Sequence, residues 1–246
     1  MESLNSSSLR FIISILLIQV CTVSFAQIEK TKTKFGFQYK PIIPNRFIGQ
    51  NIQEFESESA PVFSGNFQQK FGYSAGIAIR HQFTSYFSVE SAINFVKRNY
   101  DFTYNVIDSG FTATSDVSFI GYDIPINGLI YVQLADQWFM NASAGINFGF
   151  YPTSVQSFNE DSSTKNIFKQ LTSPRRRIQL GLNINYGFEY RVKKLGDFYV
   201  GATYLLPFSS IAINQMTWST NGGERIVREE VIGSFFTLDF KYFFPK

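Results

Sequence analysis

The side chains that most often carry out chemistry are scarce in this sequence. His81 is the only histidine, so a metal site built from several histidines is excluded, and any His-activated nucleophile would have to use this residue. His81 stands three residues before Thr84-Ser85, on the apolar face of its segment, which favours a structural histidine. Gly222-Gly223 is typical of a turn rather than of a phosphate-binding loop. The sequence therefore predicts no catalytic, cofactor-binding or metal-binding residue.

A set of charged residues is more specific, because its members share one position in an alternating pattern. Each falls on the polar face of a segment in which polar and apolar residues alternate, so all are expected to point to the same side of a sheet. One interpretation is a path for protons or ions. We favour a paired network, because unpaired buried charges are strongly destabilising. The residues are Arg80, Glu90, Asp123, Glu189, Arg191, Asp239 and Lys241.

The elements that position these residues are predicted to be β-strands. From Ile178 to Val192 every even residue is apolar or aromatic, whereas every odd residue is polar, charged or Gly, which is the period of a strand with two different faces. The same pattern predicts eight strands, and no segment after residue 26 indicates a helix. The strands contain Phe35 to Tyr39, Phe71 to Ile79, Phe87 to Phe95, Ile120 to Ile126, Trp138 to Phe150, Ile178 to Val192, Phe198 to Phe208 and Ile232 to Phe244.

The connections between these strands alternate in length. Short turns are expected near Thr84-Ser85, Ala135-Asp136 and Lys194 to Asp197. Long polar connections are expected at about 43–69, 100–115, 152–174 and 212–225. Short turns at one end and long loops at the other are typical of bacterial outer-membrane barrels. We therefore predict an all-β, eight-stranded, antiparallel, up-and-down transmembrane β-barrel with its bulky apolar face toward lipid. A soluble periplasmic barrel with an apolar interior is the alternative.

A basic cluster stands where the third long connection enters the sixth strand. Guanidinium groups bind phosphate and carboxylate well, and the lipopolysaccharide of an outer leaflet carries both. The cluster is therefore either a lipopolysaccharide contact or a solvated basic rim, and the sequence favours neither. Its members are Lys165, Lys169, Arg175, Arg176 and Arg177. In the first connection Glu54, Glu56 and Glu58 indicate a solvated acidic patch rather than a calcium site.

Composition excludes several other classes of protein. The 246 residues are 44% hydrophobic and 17% aromatic, which is too apolar for a disordered chain. A mean hydropathy of -0.05 argues against a bundle of membrane helices. The formal net charge is only +3, and its scattered cations form no basic stripe, so we expect no nucleic-acid partner.

The first 26 residues are predicted to be a signal peptide, followed by a barrel domain at 27–246. Arg10 precedes the apolar run Phe11 to Val20, and Ser24-Phe25-Ala26 places small residues at the -3 and -1 positions of a cleavage site before Gln27. The segment is shorter than the roughly 20 residues of a membrane anchor. Cys21 lacks the small preceding residues of a lipoprotein signal.

These features resemble the outer-membrane β-barrel family of Bacteroidetes, which includes PorT-like proteins, and the eight-stranded barrels of the OmpA type. Tyr122-Asp123-Ile124-Pro125-Ile126 is similar to a Tyr-x-Glu-Ile-Pro-Leu sequence of that family, with Asp123 in place of Glu and Ile126 in place of Leu. The resemblance covers essentially the whole chain after residue 26. It implies an accessory role in type IX secretion for PorT-like members.

From these observations we expect a non-enzymatic outer-membrane protein without cofactor or metal, acting as a structural or accessory component of the envelope. A surface-exposed binding scaffold that uses long external loops is the alternative, and a lipid-modifying enzyme that uses His81 is a minor one. The expected partners are outer-membrane lipid and lipopolysaccharide, the barrel-insertion machinery, and envelope or secretion proteins. Phe240, Tyr242 and Phe244 alternate in the last strand, as in the signal that this machinery reads.

Overall fold

The computed structural model describes residues 32–44, 52–56, 63–106, 111–161, 166–220 and 223–245. The predicted signal peptide lies outside the described residues. Thirteen strands are formed within the described part of the chain: β1 Lys32–Ile43, β2 Ile52–Glu56, β3 Phe63–Gln82, β4 Phe87–Val106, β5 Phe111–Gln133, β6 Trp138–Phe150, β7 Val155–Asp161, β8 Asn166–Pro174, β9 Ile178–Val192, β10 Gly196–Pro207, β11 Ala212–Thr220, β12 Gly223–Val231 and β13 Phe235–Phe243.

Eight of these strands close a barrel. Their order is β1-β3-β4-β5-β6-β9-β10-β13, every neighbouring pair is antiparallel, and β13 pairs with β1 to complete the circle. The predicted eight-stranded antiparallel barrel is therefore confirmed. In the described part of the molecule, no helix has the length and apolar character needed to cross a bilayer.

The two faces of the barrel wall follow the alternation of the sequence. On β9 the side chains of Ile184, Tyr186 and Phe188 point outward and are about half exposed, whereas Asn183 and Asn185 are buried inside. Closure leaves no sheet edge in the barrel, so the backbone groups of the strands are paired within the wall. The bulky face can thus meet hydrocarbon while the polar face packs on itself.

One end of the barrel, which we call the turn end, carries the three predicted short turns. Phe83, Leu134 and Leu195 each donate a backbone hydrogen bond that closes one of them. Aromatic rings stand around this end, with ring centroids 4.8 Å apart for Trp138 and Tyr190. Such a girdle is typical of the level at which an outer-membrane barrel meets the headgroups.

The opposite end, which we call the extended end, differs from the prediction. The connections predicted as long polar loops are mostly β-strands. The second is a hairpin, because β4 continues to Val106 and β5 begins at Phe111. The others contain β2, the hairpin β7–β8 and the hairpin β11–β12.

Four of these additional strands form a second sheet in the order β12-β11-β8-β7. This order repeats that of the barrel strands below it, β13-β10-β9-β6, so each of the four continues a barrel strand after a short break. We call the ring of breaks the waist; it comprises residues 151–154, 175–177, 208–211 and 232–234. On the other half of the barrel, β3, β4 and β5 pass the same level as continuous strands, although the register of β3 with β4 shifts between Lys70 and Tyr73.

The second sheet packs against the extended ends of β4 and β5 through an apolar core. Phe102 and Phe168 stack with ring centroids 6.5 Å apart, and Tyr100 meets Phe119 edge to face at 5.6 Å. The remaining buried members of this core are Val117, Ile211, Ala212, Met216 and Val231. Above the waist the molecule is therefore built like a β-sandwich, with this apolar core inside next to the buried, hydrogen-bonded side chains of Gln170, Thr172 and Asn214.

Candidate functional site

The barrel interior near the turn end holds an ion-pair network centred on Arg80. Its guanidinium donates to Glu90 Oε2 from Nε at 2.9 Å and from Nη2 at 2.7 Å, and Nη1 donates to Glu189. Lys241 Nζ donates to Glu90 Oε1 at 2.6 Å, and Arg191 Nε donates to Glu189 Oε1 at 2.5 Å. Five residues from β3, β4, β9 and β13 are thus connected across the lumen.

Aromatic rings cover the cations of this network. The Arg80 guanidinium carbon lies 3.9 Å from the ring centroid of Phe243, and that of Arg191 lies 3.9 Å from Phe139 and 4.6 Å from Tyr131. Lys34 and Asp197 form a further ion pair beside the network, at the turn end. The lumen is therefore filled at this level.

The middle of the interior is filled by a second charged group with many neutral partners. Asp239 Oδ2 lies 3.1 Å from Lys40 Nζ and accepts hydrogen bonds from Thr203 and Asn185, while its Oδ1 accepts from Thr237. Gln38 donates to Asn94, and Asn183 donates to Asn127. Hydrogen-bonded networks of this kind rigidify an interior because each member holds another in place.

At the waist, Arg98 joins the continuous half of the barrel to the interrupted half. Its side chain is fully buried; Nη1 donates to the carbonyl of Gly233 at 3.0 Å, and Nη2 donates to the Tyr151 hydroxyl. Its guanidinium carbon lies 4.4 Å from the ring centroid of Phe235. Asp123 is the nearest acid, with Oδ2 at 3.8 Å from Nη2. Arg98 therefore ties β4 to two of the four breaks.

A small cavity lies between Arg98 and the Asp239 group. Its volume is about 20 Å³, which is room for about one water molecule. Asp123, Lys40 and Asn147 are among its polar lining residues, and Leu205 and Phe235 close it with apolar surface. Among the described residues, Asp123 Oδ1 has no hydrogen-bond partner. Hydration of this oxygen fits the size and polarity of the space.

The break before β13 depends on a left-handed glycine. Gly233 has a φ of 74°, and a Cβ built there would lie 2.4 Å from Ile211 Cδ1. We expect Gly233→Ala to lower the free energy of unfolding by about 1–2 kcal/mol, because a side chain in this conformation is strained. Proteolysis of β11 and β12 should become faster. Gly128→Ala is the control, since its nearest contact would be an ordinary 3.6 Å; equal sensitivity of both variants would contradict the prediction.

The seven charges predicted to face inward lie in three groups along the axis. Arg80, Glu90, Glu189, Arg191 and Lys241 are joined in the first network, Asp239 belongs to the second, and Asp123 lies at the waist. Sequence reasoning missed Lys40 and Arg98. The parity of β1 would have revealed Lys40, which shares a face with Gln38; Arg98 would have required a longer β4.

The predicted basic cluster is divided by the structure. Arg175 Nη1 donates to Glu230 Oε1 at 2.6 Å and to Ser210 Oγ at 2.8 Å. Arg176 and Arg177 are exposed, and within the described part of the chain neither side chain has an acidic partner. Lys169 points outward from β8. Lys165 and the patch residue Glu58 lie outside the described residues.

A separate acidic pair lies on the outer surface above the waist. Lys70 forms ion pairs with Asp101 and Asp116, which face each other on β4 and β5. Burial and the hydrogen bond with Asp116 raise the pKa of Asp101, whereas the hydrogen bonds with Asp101 and Lys70 lower the pKa of Asp116. The raised pKa of Asp101 gives stability that is lost as pH rises, whereas the lowered pKa of Asp116 gives stability that is lost as pH falls. The two contributions to the pH dependence of stability therefore oppose each other.

His81 has a structural environment at the turn end. Its Nδ1 is 2.8 Å from Thr33 Oγ1, and its ring meets Phe83 edge to face with centroids 4.6 Å apart. No cluster of three or more His, Cys, Asp or Glu in the described ranges could hold a metal ion.

Comparison with known proteins gives one family match. A family model described as outer membrane protein beta-barrel domain matches residues 25–212. No curated protein matches the sequence. The crystal structure of the outer membrane protein OprG from Pseudomonas aeruginosa has a TM-score of 0.49 at 12% identity, covering 87% of this chain and 96% of that one. The beta domain of the Bordetella autotransporter BrkA has a TM-score of 0.29 at 9% identity, covering 89% and 100%.

Proposed function

This chain belongs to the outer membrane β-barrel family whose model matches it, and we propose that it is a non-conducting, non-enzymatic anchor that presents a folded β-structure at the cell surface. The barrel is the membrane part, and the extended end is the part that acts. The family match supports a location in the bacterial outer membrane. The second sheet of this protein supplies the surface offered to a partner.

The observation that carries this proposal is that paired and packed side chains occupy the interior at successive levels, from the turn end to the second sheet. The network of Arg80 lies near the turn end, the Asp239 group in the middle, and Arg98 at the waist. Above the waist, the apolar core under the second sheet covers the barrel mouth. A pore needs a continuous water path, whereas the cavity near Asp123 has room for about one water molecule.

The orientation in the membrane follows from the difference between the turn end and the extended end. Barrels of this kind keep short turns in the periplasm and larger connections outside. We therefore assign the turn end to the periplasm and the second sheet to the exterior. Removal of residues 1–26 would leave Gln27 as the first residue of the mature protein, which N-terminal sequencing of outer-membrane material can check.

The resemblance to PorT-like proteins supports a second possibility for the partner, namely a component of type IX secretion. In both cases the second sheet is the binding surface, and only the identity of the protein that binds it differs. A lipid-modifying enzyme is the weaker alternative, because His81 lies at the turn end and bonds to Thr33. Secretion of cargo in a deletion strain separates the accessory role from a purely surface-binding one.

The experiment that tests the proposal combines conductance with partner capture. We expect purified, folded protein to show no step conductance in planar bilayers. A variant in which short Gly-Ser linkers replace 152–176 and 209–232 should still insert and still not conduct, because the lower network remains. Cross-linking in native outer membranes should recover a partner with the full protein only. Stable open channels, or identical partners for both proteins, would overturn the proposal.

A further inference from the structure

Two cations at the waist stand where the barrel leaves the lipid. Ile178 is the first residue of β9, is 66% exposed and pairs with Phe150, which is also exposed on the lipid face. Arg176 and Arg177 come directly before Ile178 and are exposed. At about 3.3 Å per residue, their backbone lies within roughly 7 Å of the last lipid-facing position. This is the level of the headgroups.

Backbone bonds hold these two residues in place. The carbonyl of Arg177 accepts from the backbone N–H of Tyr151 at 2.9 Å, and the carbonyl of Arg176 accepts from Gln179 Nε2 at 3.2 Å. Gln179 is itself buried and also donates to the carbonyl of Ile211. The segment is therefore anchored to two other breaks of the waist. The guanidinium groups of Arg176 and Arg177 form no ion pair with any described acidic residue and are exposed.

The charge around these guanidinium groups is uncompensated. The flanking segments 150–158, 174–182 and 205–213 contain no Asp or Glu. Glu230 is close to Arg175 and is already paired with it. Lys169 lies seven residues before Arg176, roughly 20 Å of extended chain, so it cannot share the same small anion. The local site thus consists of Arg176 and Arg177.

Apolar surface continues directly below this positive charge. Ile178, Leu180 and Phe208 are exposed to different degrees on the lipid face, and the backbone N–H of Phe208 donates to the carbonyl of Leu180. A ligand that fits both parts has an anionic head next to acyl chains. Guanidinium forks bind phosphate oxygens in pairs and are weakly hydrated, which suits a membrane interface.

We propose that Arg176 and Arg177 bind a phosphate group of lipid A in the outer leaflet, with its acyl chains on Ile178, Leu180 and Phe208. The proposal rests on the outer-membrane location and orientation given above. It narrows the basic cluster of the sequence to two of its five members. Arg175 is excluded because it is paired with Glu230 and Ser210 at the waist, and Lys169 is excluded because it lies too far from Arg176 along β8.

The test uses native mass spectrometry of the folded full-length protein in detergent, with diphosphoryl lipid A as the probe. We expect one bound lipid A, and at least a tenfold weaker affinity in the double variant Arg176→Gln/Arg177→Gln. Arg176→Lys/Arg177→Lys keeps the charge but loses the forks, so its affinity should be intermediate. Lys169→Gln/Arg228→Gln removes two exposed cations of the second sheet and should bind like the wild type.

Further measurements identify which lipid supplies the phosphate. They also show whether a negative result contradicts the lipid A site or the outer-membrane location. Dephosphorylated lipid A and phosphatidylglycerol should both bind at least tenfold more weakly than diphosphoryl lipid A. Equal binding of phosphatidylglycerol, or an unchanged affinity in the Arg176→Gln/Arg177→Gln variant, would overturn the lipid A site. In that case the protein would still fractionate with outer membranes and migrate differently before and after boiling. Loss of that behaviour in the wild type would overturn the proposed location instead.

Discussion

Glu90→Gln is expected to lower the free energy of unfolding by about 3–5 kcal/mol, the cost of breaking a buried charge pair by removing one partner. Glu90 is 3% exposed, and its two carboxylate oxygens serve different cations. Oε2 accepts from Arg80 and Oε1 accepts from Lys241. The amide has no charge for either cation, so Lys241 is left buried without its acid. Urea unfolding of the protein in lipid vesicles measures the change.

The matched control is the same substitution at an exposed pair. Glu230 pairs with Arg175, and their side chains are 56% and 42% exposed. Glu230→Gln should change the free energy of unfolding by less than about 1 kcal/mol, because exposed ion pairs contribute little. The double variant Glu90→Gln/Lys241→Gln should recover part of the loss. Equal costs for Glu90→Gln and Glu230→Gln would show that the network does not stabilise the barrel.

Ile184→Arg is expected to cost about 2–4 kcal/mol, the penalty for a cation on the lipid face near the midplane of a barrel. Ile184 is 48% exposed and lies midway along β9 between Ile178 and Tyr190. Its exposure is to hydrocarbon, which cannot solvate a guanidinium. The yield of folding into vesicles and the unfolding free energy both report the effect.

Ile226→Arg provides the matched control on β12 of the second sheet. Ile226 is 53% exposed, so the two residues have nearly the same accessible surface and differ in the solvent that they face. We expect Ile226→Arg to be close to neutral, because water solvates the new charge. If both variants fold equally well, the barrel wall does not face lipid; if both fail, the second sheet lies in the membrane.

The barrel could be predicted from the sequence because its wall separates two different solvents. An apolar face toward lipid and a polar face inside give an alternation that needs no tertiary information, as between Asn183 and Ile184. The short turns could be predicted for a similarly local reason, because their turn residues interrupt the alternation at only a few positions.

The extensions were missed because the polarity of the strand reverses where lipid gives way to water. On β4 the outward residues change from Ile93 and Phe95 to Lys97 and Asp101, while the inward residues change from Asn94 to Tyr100 and Phe102. The strand does not change phase at this point. A criterion based on an apolar outward face ends β4 at Phe95, although the hydrogen-bonded ladder continues to Val106.

Parity along each strand is enough to place these charged residues inside the barrel, but it does not identify their ion-pair partners. Arg80 and Glu90 face each other across a hairpin, so local register places them together. The pairing of Arg80 with Glu189 crosses the lumen between β3 and β9, and it depends on the stagger of the closed barrel. No local pattern encodes that stagger. Arg98 was missed for the separate reason that its strand was predicted too short.

The waist has a practical consequence for anyone who wishes to redesign this molecule. Hairpins β7–β8 and β11–β12 each leave and re-enter the barrel through short irregular segments, so neither shares a continuous ladder with the strands below. A foreign hairpin or epitope joined at these junctions would leave the register of all eight wall strands unchanged. The same substitution in the β4–β5 hairpin would be transmitted down two uninterrupted strands. The cell-surface display of inserted sequences should therefore succeed on one half of the rim and disturb assembly on the other.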